Sequence, residues 1–306
     1  MRILITGASG AVGAALTRTL AATGSHELRA LSRDPARVGA RPGLARVRGD
    51  VLTGEGLGAA LEGVEVAYYL IHSMEPAATG AFAGRDREAA ARFAAAARAA
   101  GVRRLVYLGG LVPRDAAPSP HLASRLEVER ILLDAVPTGV ALRASIVIGA
   151  RSRSFRAIVR LIERLPVIPL PPWSANRTQP IDERDAVAYL IAAAAAPAAA
   201  GRSLDIAGPE VLSYGAMIKR VASALLVHRP TVPLPLGGGR SASALAAAVS
   251  GVPVELLGPL MSSLDRDLLA DDSAARALFA IPLHDFDAAL EHALCEWEAA
   301  EPLRGR

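Results

Sequence analysis

Residues 2–13 read RILITGASGAVG, in which a short apolar run leads into a turn with three glycines and then into a helical pattern. A strand followed by such a turn and a helix is the arrangement that holds the pyrophosphate of a dinucleotide. The first glycine permits the tight turn, the second lets the backbone approach the phosphates, and the third lets the helix pack on the strand. Since the first N–H groups of a helix also attract anions, we predict a dinucleotide site here. Its members are Thr6, Gly7, Ser9, Gly10, Ala11, Val12 and Gly13.

Strands and helices alternate through the first 150 residues, which is typical of a parallel sheet. We predict strands at 2–6, 27–32, 45–48, 65–71, 104–108 and 140–145, and helices at 11–22, 85–100 and 121–135. From residue 151 to 177 prolines punctuate a stretch that reads as loop-rich. The prediction is an α/β fold, a Rossmann-type doubly wound parallel sheet with a smaller, mainly helical C-terminal substrate lobe. The sheet domain takes residues 1–150 with 178–208, and the lobe takes 151–177 with 209–306.

The end of the second strand selects between NAD(H) and NADP(H). An acidic residue about 20 residues beyond the glycine turn would hold the ribose hydroxyls of NAD(H). Here the strand ends in Ser32 and Arg33, and Arg33 suits a 2′-phosphate to which Ser32 can add a hydrogen bond. Asp34 stands slightly late but could still repel a phosphate, and an ordinary solvated role for Arg33 is the alternative. Taken together, Ser32 and Arg33 favour NADP(H) over NAD(H) as the cofactor, in spite of Asp34.

Other cofactor contacts are predicted where the remaining strands end, because ligands of such sheets bind outside the carboxyl ends of the strands. After the third strand, a short carboxylate beside an apolar side chain suits an adenine ring and its amino group. His72 follows the fourth strand and is equally well explained as a structural histidine. The predicted contacts are Asp50, Val51, Leu70, His72, Gly109 and Ser145.

In these features the chain resembles the short-chain dehydrogenase/reductase superfamily, specifically its atypical, NmrA-like and extended members. The marks that carry the resemblance are the glycine-rich start, Asp50-Val51, the apolar strand that ends in His72-Ser73-Met74, the run 98–110, Gln179-Pro180-Ile181 leading to Asp185-Ala186-Val187, and the run 204–210. The order of these marks along most of the chain is a more specific sign of the superfamily than any single mark, except the glycine-rich start. The resemblance implies a seven-stranded Rossmann sheet, an NAD(P) cofactor and a smaller C-terminal substrate lobe.

The chain departs from the superfamily at the active-site motif. Active reductases carry Tyr-x-x-x-Lys at the start of the helix after the fifth strand, where the tyrosine donates a proton and the lysine holds the ribose. Here His121 and Arg125 occupy those places with the same spacing, hence on the same helix face. In one interpretation they are catalytic: His121, with an unperturbed pKa of about 6.5, donates the proton, and Arg125 holds the nicotinamide ribose. In the other interpretation the pair is inert, and Arg125 pairs with Glu129.

Two functions remain open. The first is an NADP(H)-dependent oxidoreductase that acts on a small carbonyl, enone or quinone. The second is a non-catalytic NAD(P)-sensing regulator or assembly factor of the NmrA-like type. A nucleotide-sugar epimerase is disfavoured because it needs the Tyr-x-x-x-Lys base. Arg151, Arg153 and Arg156 could bind an anionic substrate or form a solvated helix face, and Trp173 could line a substrate pocket.

Composition excludes several other classes. Of the 34 basic residues only Lys219 is a lysine, so there is no P-loop lysine. The single cysteine, Cys295, excludes an internal disulfide and a CxxC metal site, and we predict no metal. A net charge of +4, carried by scattered arginines, argues against nucleic-acid binding. The first apolar run is too short for a signal peptide, and the alanine-rich stretch 186–200 is too short for a bilayer. We therefore predict a cytoplasmic protein without a membrane partner, either monomer or homodimer.

Overall fold

The computed structural model describes residues 1–71, 81–113, 115, 117–233 and 264–303 of the chain. Its strands, numbered β1 to β13 in chain order, are Arg2–Thr6, Glu27–Ser32, Leu44–Arg48, Val66–Tyr69, Arg104–Gly110, Val140–Ala144, Val147–Ile148, Ile168–Leu170, Arg177–Thr178, Ile181–Asp182, Arg202–Ile206, Leu212–Ser213 and Thr231–Pro233. Its α-helices, numbered α1 to α9, are Ala11–Thr23, Leu57–Leu61, Ala81–Ala99, Pro120–Ala135, Arg153–Arg164, Glu183–Ala195, Tyr214–Ala224, Ser273–Phe279 and Phe286–Glu298.

Seven strands form one parallel sheet in the order β11-β6-β5-β4-β1-β2-β3. This confirms the predicted Rossmann-type α/β fold and the seven strands that the resemblance implies. Strand β1 lies between β2 and β4, so that Ile3 pairs with Leu28 on one side and with Val66 on the other. The strand order reverses at β1, and such a reversal opens a crevice beyond the carboxyl ends of β1 and β4.

Both faces of the sheet are buried, which explains why its central strands are almost wholly apolar. Along β1, Ile3 and Ile5 pack into the core under α1 and α6, whereas Leu4 packs into the core under α3 and α4. The alternation follows from the two-residue period of a strand. Helix α3 supplies Phe93 to the second core, where its ring lies 5.1 Å from that of Tyr69.

A third core belongs to the C-terminal part, where Phe155 of α5, Met217 of α7 and Trp297 of α9 pack together. Helix α5 occupies the beginning of the stretch that the sequence suggests is loop-rich. The prolines that suggest a loop all follow residue 165, so they limit the end of this helix and not its interior. Helix α8, placed with the lobe by the sequence, packs against the sheet domain, with Phe279 5.8 Å from the ring of Tyr189.

The longest described helix, α3, carries charged residues in its first half, including Arg85 and Asp86. No helix in the described part of the chain is both long and apolar enough to cross a membrane.

Candidate cofactor and active site

A cavity of about 750 Å³ opens beyond the carboxyl ends of the central strands. Its walls come from both parts of the molecule: the glycine turn and the strand ends at one end, α5 and α7 at the other. Of the seventeen residues predicted for the cofactor and for catalysis, all but Thr6 and His72 line it. His72 lies outside the described residues.

The glycine turn presents unpaired donors to this cavity. Gly7, at φ +70°, accepts the N–H of Gly10 at 2.9 Å, and Gly10 then starts α1 without a side-chain cap. The first three N–H groups of a helix have no partner within it, so they remain available to an anion. A Cβ on Gly13 would lie 2.2 Å from the carbonyl oxygen of Gly7, so only glycine fits there. The residues therefore fit the pyrophosphate of a dinucleotide.

Thr6 acts behind this turn. Its side chain is fully buried, its hydroxyl donates to the carbonyl of Tyr68 at 3.0 Å, and it accepts the N–H of Leu70 at 3.2 Å. These bonds fix the end of β1 against the end of β4. Thr6 thus positions the glycine turn, while Leu70 reaches the cavity wall.

Two arginines line the part of the cavity that lies next to the carboxyl end of β2. Arg33 is joined there by Arg37, which no sequence motif predicts and which lies four residues further along the chain. Asp34 does not line the cavity, because its carboxylate accepts the N–H of Ala36 at 3.0 Å and caps a short 3₁₀ turn. Ser32 lines the cavity, and its hydroxyl donates to the carbonyl of Asp34 at 2.8 Å. The positive groups therefore face the cavity, and the nearby carboxylate does not.

Asp50 and Val51 complete this end after β3. One carboxylate oxygen of Asp50 accepts the N–H of Leu52 at 2.8 Å, which holds the side chain in a fixed orientation. The backbone N–H of Asp50 donates to the carbonyl of Glu55 at 2.9 Å. A fixed carboxylate next to an apolar wall suits an adenine ring, as the sequence predicts.

At the opposite end of the sheet crevice, His121 and Arg125 both face the cavity from the first turns of α4. Ser119 caps that helix, and Gly109 at the end of β5 lines the same part of the wall. Ser145 also lines it, with its hydroxyl donating to the carbonyl of Gln179 at 2.6 Å. The predicted i, i+4 pair is thus brought together at one site.

Arg125 is a buried cation without a carboxylate partner among the described residues. The residue is 7% exposed, and the hydrogen bond it receives, from the hydroxyl of Tyr107, goes to its backbone carbonyl at 3.3 Å. The inert interpretation pairs Arg125 with Glu129, but Glu129 accepts two bonds from Arg143, at 2.6 and 2.9 Å. A buried charge outside an ion pair is costly, and because Arg125 lines the cavity its guanidinium is available to an acceptor there.

His121 differs from an ordinary histidine. Burial and the nearby charge of Arg125 together lower its pKa to about 4, and the charge of Asp86 opposes the shift. Its imidazole is therefore neutral at pH 7, with an N–H that can donate a hydrogen bond. The interpretation of His121 as a proton donor assumes the unperturbed pKa of about 6.5, whereas burial in the folded chain lowers that pKa.

We expect the His121 imidazole to titrate near pH 4 in the folded protein, and not near 6.5. Between these values the unfolded chain binds a proton that the folded chain does not, so His121 lowers the stability of the fold as pH falls from about 6.5 to about 4. Histidine NMR titrations of the wild type and of His121→Gln measure the first effect, and thermal unfolding across this range measures the second. A resonance that disappears in His121→Gln and titrates near 6.5 would contradict the neutral imidazole.

The three arginines that follow β7 have different positions. Arg151 and Arg153 line the cavity, and Arg151 donates to the carbonyl of Ser9 in the glycine turn at 3.3 Å. Arg156 lies away from the cavity, where its guanidinium stacks 4.0 Å above the ring of Trp297. Of these three arginines, only Arg151 and Arg153, at the mouth of the cavity, are placed to contact an anionic substrate.

Comparison with known proteins agrees with this geometry. Residues 7–145 match the family described as NAD(P)H-binding. Residues 7–145 therefore belong to an NAD(P)H-binding domain, and the fold of the chain is similar to that of a short-chain dehydrogenase/reductase superfamily protein from Agrobacterium tumefaciens. This match includes the glycine turn, β2 and α4, which line the cofactor part of the cavity, so it supports a general NAD(P)-dependent function.

Relatives extend the likeness beyond that domain. A ceramide reductase of Caulobacter vibrioides (strain NA1000 / CB15N) is 26% identical over 251 residues, which cover 82% of this chain and 78% of that protein. The mitochondrial NADH dehydrogenase (ubiquinone) 1 alpha subcomplex subunit 9 of Arabidopsis thaliana is 24% identical over 187 residues, 58% of this chain and 46% of that one. The structure of UDP-glucuronic acid 4-epimerase from Bacillus cereus in complex with NAD has a TM-score of 0.74 at 17% identity, covering 99% of this chain and 98% of that one. That last likeness concerns the fold alone.

Proposed function

We propose that this protein is an NADP(H)-dependent oxidoreductase that reduces a carbonyl, an enone or a quinone. One observation carries the proposal: a single cavity is lined by the glycine turn, by apolar residues of α5 and α7, and by Arg125, whose guanidinium has no carboxylate partner among the described residues. A protein that only binds the cofactor would need the part of the cavity next to the glycine turn, but not the apolar part next to α5 and α7. The reductase name of the Caulobacter relative supports the same class of reaction.

The reaction follows from what the residues can do. The bound cofactor supplies the hydride that reduces a carbonyl carbon. Arg125, with five N–H donors, holds the nicotinamide ribose and also faces the carbonyl oxygen, which becomes negative as the C–O π electrons move onto it. Neutral His121 donates a hydrogen bond in the same region and keeps its N–H. A proton from water then completes the alcohol, so the missing tyrosine is not required as an acid.

The preference for NADP(H) rests on the arginines beyond β2. Arg33 and Arg37 both line the cavity where a 2′-phosphate would lie, and the carboxylate of Asp34 is held by the 3₁₀ turn. Guanidinium groups bind phosphate oxygens through charge-assisted bonds. We also propose a cytoplasmic location, in keeping with a chain whose single cysteine forms no internal disulfide.

Replacing Arg33 by serine should weaken NADPH binding about 10- to 100-fold, because one or two hydrogen bonds to a charged phosphate are lost. NADH, which has no 2′-phosphate, should bind almost as before. Arg37→Ser should act in the same direction, and Arg41→Ser is the matched control because Arg41 is exposed outside the cavity. Calorimetric titrations with both cofactors measure the ratio. Equal losses for NADPH and NADH in Arg33→Ser would contradict the assignment.

The reductase function is tested by NADPH oxidation against a panel of quinones, enones and aldehydes. We expect turnover with at least one acceptor class. Tight NADPH binding without turnover on any of them would instead support a cofactor-sensing protein without chemistry. That second function is favoured by the absence of Tyr-x-x-x-Lys and by the neutral state of His121.

A further inference from the structure

One face of α5 forms a wall of the cavity along the whole length of the helix. The lining residues follow one another at intervals of one and three residues: Ser154, Ala157, Ile158, Leu161, Ile162 and, at the C-cap, Leu165. A helix rises 1.5 Å per residue, so this row extends roughly 16 Å from the cofactor end. We call the part of the cavity beyond Ser154 the apolar channel.

The opposite walls of the apolar channel have the same character. The lining also contains Trp173, Met217 and Ile218 of α7, and Leu264. Every charged residue that is described in the cavity wall belongs to the cofactor end, the His121–Arg125 pair or the mouth at Arg151 and Arg153. The described walls of the channel therefore offer no group that would pair with a charged substrate.

Beyond Arg153, helix α5 keeps its charged residues out of the cavity lining. Arg156 and Arg160 both donate to the carboxylate of Glu301, at 2.6 and 2.7 Å, and neither lines the cavity. Ile158 and Leu161, in contrast, are only partly covered by protein although they are apolar. Apolar surface that faces an open cavity gains free energy when an apolar ligand displaces water from it.

We propose that the apolar channel binds a long, uncharged hydrocarbon chain attached to the carbonyl that is reduced. The substrate class is then a long-chain aldehyde, ketone or prenylated quinone, with its carbonyl next to Arg125 and its chain along α5. The inference rests on the function proposed above. In the reaction the aldehyde is reduced to an alcohol, NADPH is oxidised to NADP⁺, and water supplies the proton.

The test compares propanal, hexanal, decanal and dodecanal, each below its solubility limit. We expect kcat/KM to rise at least about tenfold from hexanal to decanal, because each buried methylene contributes to binding. The tryptophan variants Ile158→Trp and Leu165→Trp block the channel near to and far from the cofactor. The rise in kcat/KM with chain length should stop at a shorter aldehyde in Ile158→Trp than in Leu165→Trp. Arg164→Trp, on the exposed side of α5, is the matched control and should keep the wild-type series.

A second measurement separates this inference from the reductase function. Decanol should bind the NADP⁺ complex at least about tenfold more tightly than hexanol in calorimetry, with or without turnover. Tight decanol binding without reduction of any acceptor would overturn the reductase function and keep the channel. Reduction of short aldehydes with no dependence on chain length, or the same chain-length limit in both tryptophan variants, would overturn the channel and keep the reductase.

Discussion

Gly13→Ala should abolish cofactor binding, with an NADPH affinity at least about 100-fold below that of the wild type. The added Cβ would lie 2.2 Å from the carbonyl oxygen of Gly7 and 3.0 Å from Cα of Ala8. Both contacts are with backbone, so no side-chain rotation relieves them, and overpacking of this kind shifts the chain. The shift moves the N–H groups at the start of α1 away from the phosphates, which are held mainly by those groups. Calorimetry with NADPH measures the loss.

Gly58→Ala is the matched control for this variant. Gly58 lies in α2, and a Cβ there meets no atom within 4 Å. Alanine in place of a helical glycine should add about 0.5–1 kcal/mol to the free energy of unfolding and leave NADPH affinity unchanged. If Gly13→Ala bound NADPH as tightly as Gly58→Ala does, the glycine turn would not be the phosphate site.

Arg125→Met should lower kcat about 100- to 1,000-fold, which is the usual effect of removing one donor to a developing negative charge. NADPH affinity should fall less, since the pyrophosphate and adenosine contacts remain. The same variant should be more stable than the wild type, because it removes a buried guanidinium that has no carboxylate partner among the described residues. A rise of roughly 2–4 °C in the unfolding midpoint corresponds to about 1 kcal/mol in a large domain. Steady-state kinetics and thermal unfolding measure the two effects.

Arg143→Met should change the stability of the fold in the opposite direction to Arg125→Met. Arg143 holds both carboxylate oxygens of the buried Glu129, so its removal leaves that carboxylate without the arginine. We expect a loss of roughly 2 kcal/mol in stability, below the value for a fully buried pair because the Arg143 side chain is 25% exposed. Activity should be kept. An Arg125→Met protein that is destabilised and fully active would refute the proposed role of Arg125.

The cofactor half of the site was predictable because its signals are local. Three glycines at fixed spacing after an apolar run predict the turn, and the structure gives Gly7 the positive φ that the turn needs. The residues at the strand ends also follow from the alternation of strands and helices, since parallel strands end at one edge. Arg37 was missed because its side chain reaches the cavity only after the 3₁₀ turn folds back.

The reacting half depended on contacts between distant segments. The apolar channel is built from residues near 160, near 217 and at Leu264, which no sequence pattern connects. Helix α5 does carry a signal, because Arg153, Arg156 and Arg160 recur at helical spacing with apolar residues between them. The prolines that follow α5 led instead to the prediction of a loop-rich stretch.

By itself the sequence determined the sheet, the cofactor class and the positions of His121 and Arg125 on one helix face. Backbone conformation and periodicity are local properties, and they are encoded residue by residue. Only the tertiary structure decided that Glu129 belongs to Arg143, that Asp34 caps its own turn, and that His121 is neutral. Partner choice and desolvation depend on what the fold brings within a few ångströms, and burial sets the cost of each charge.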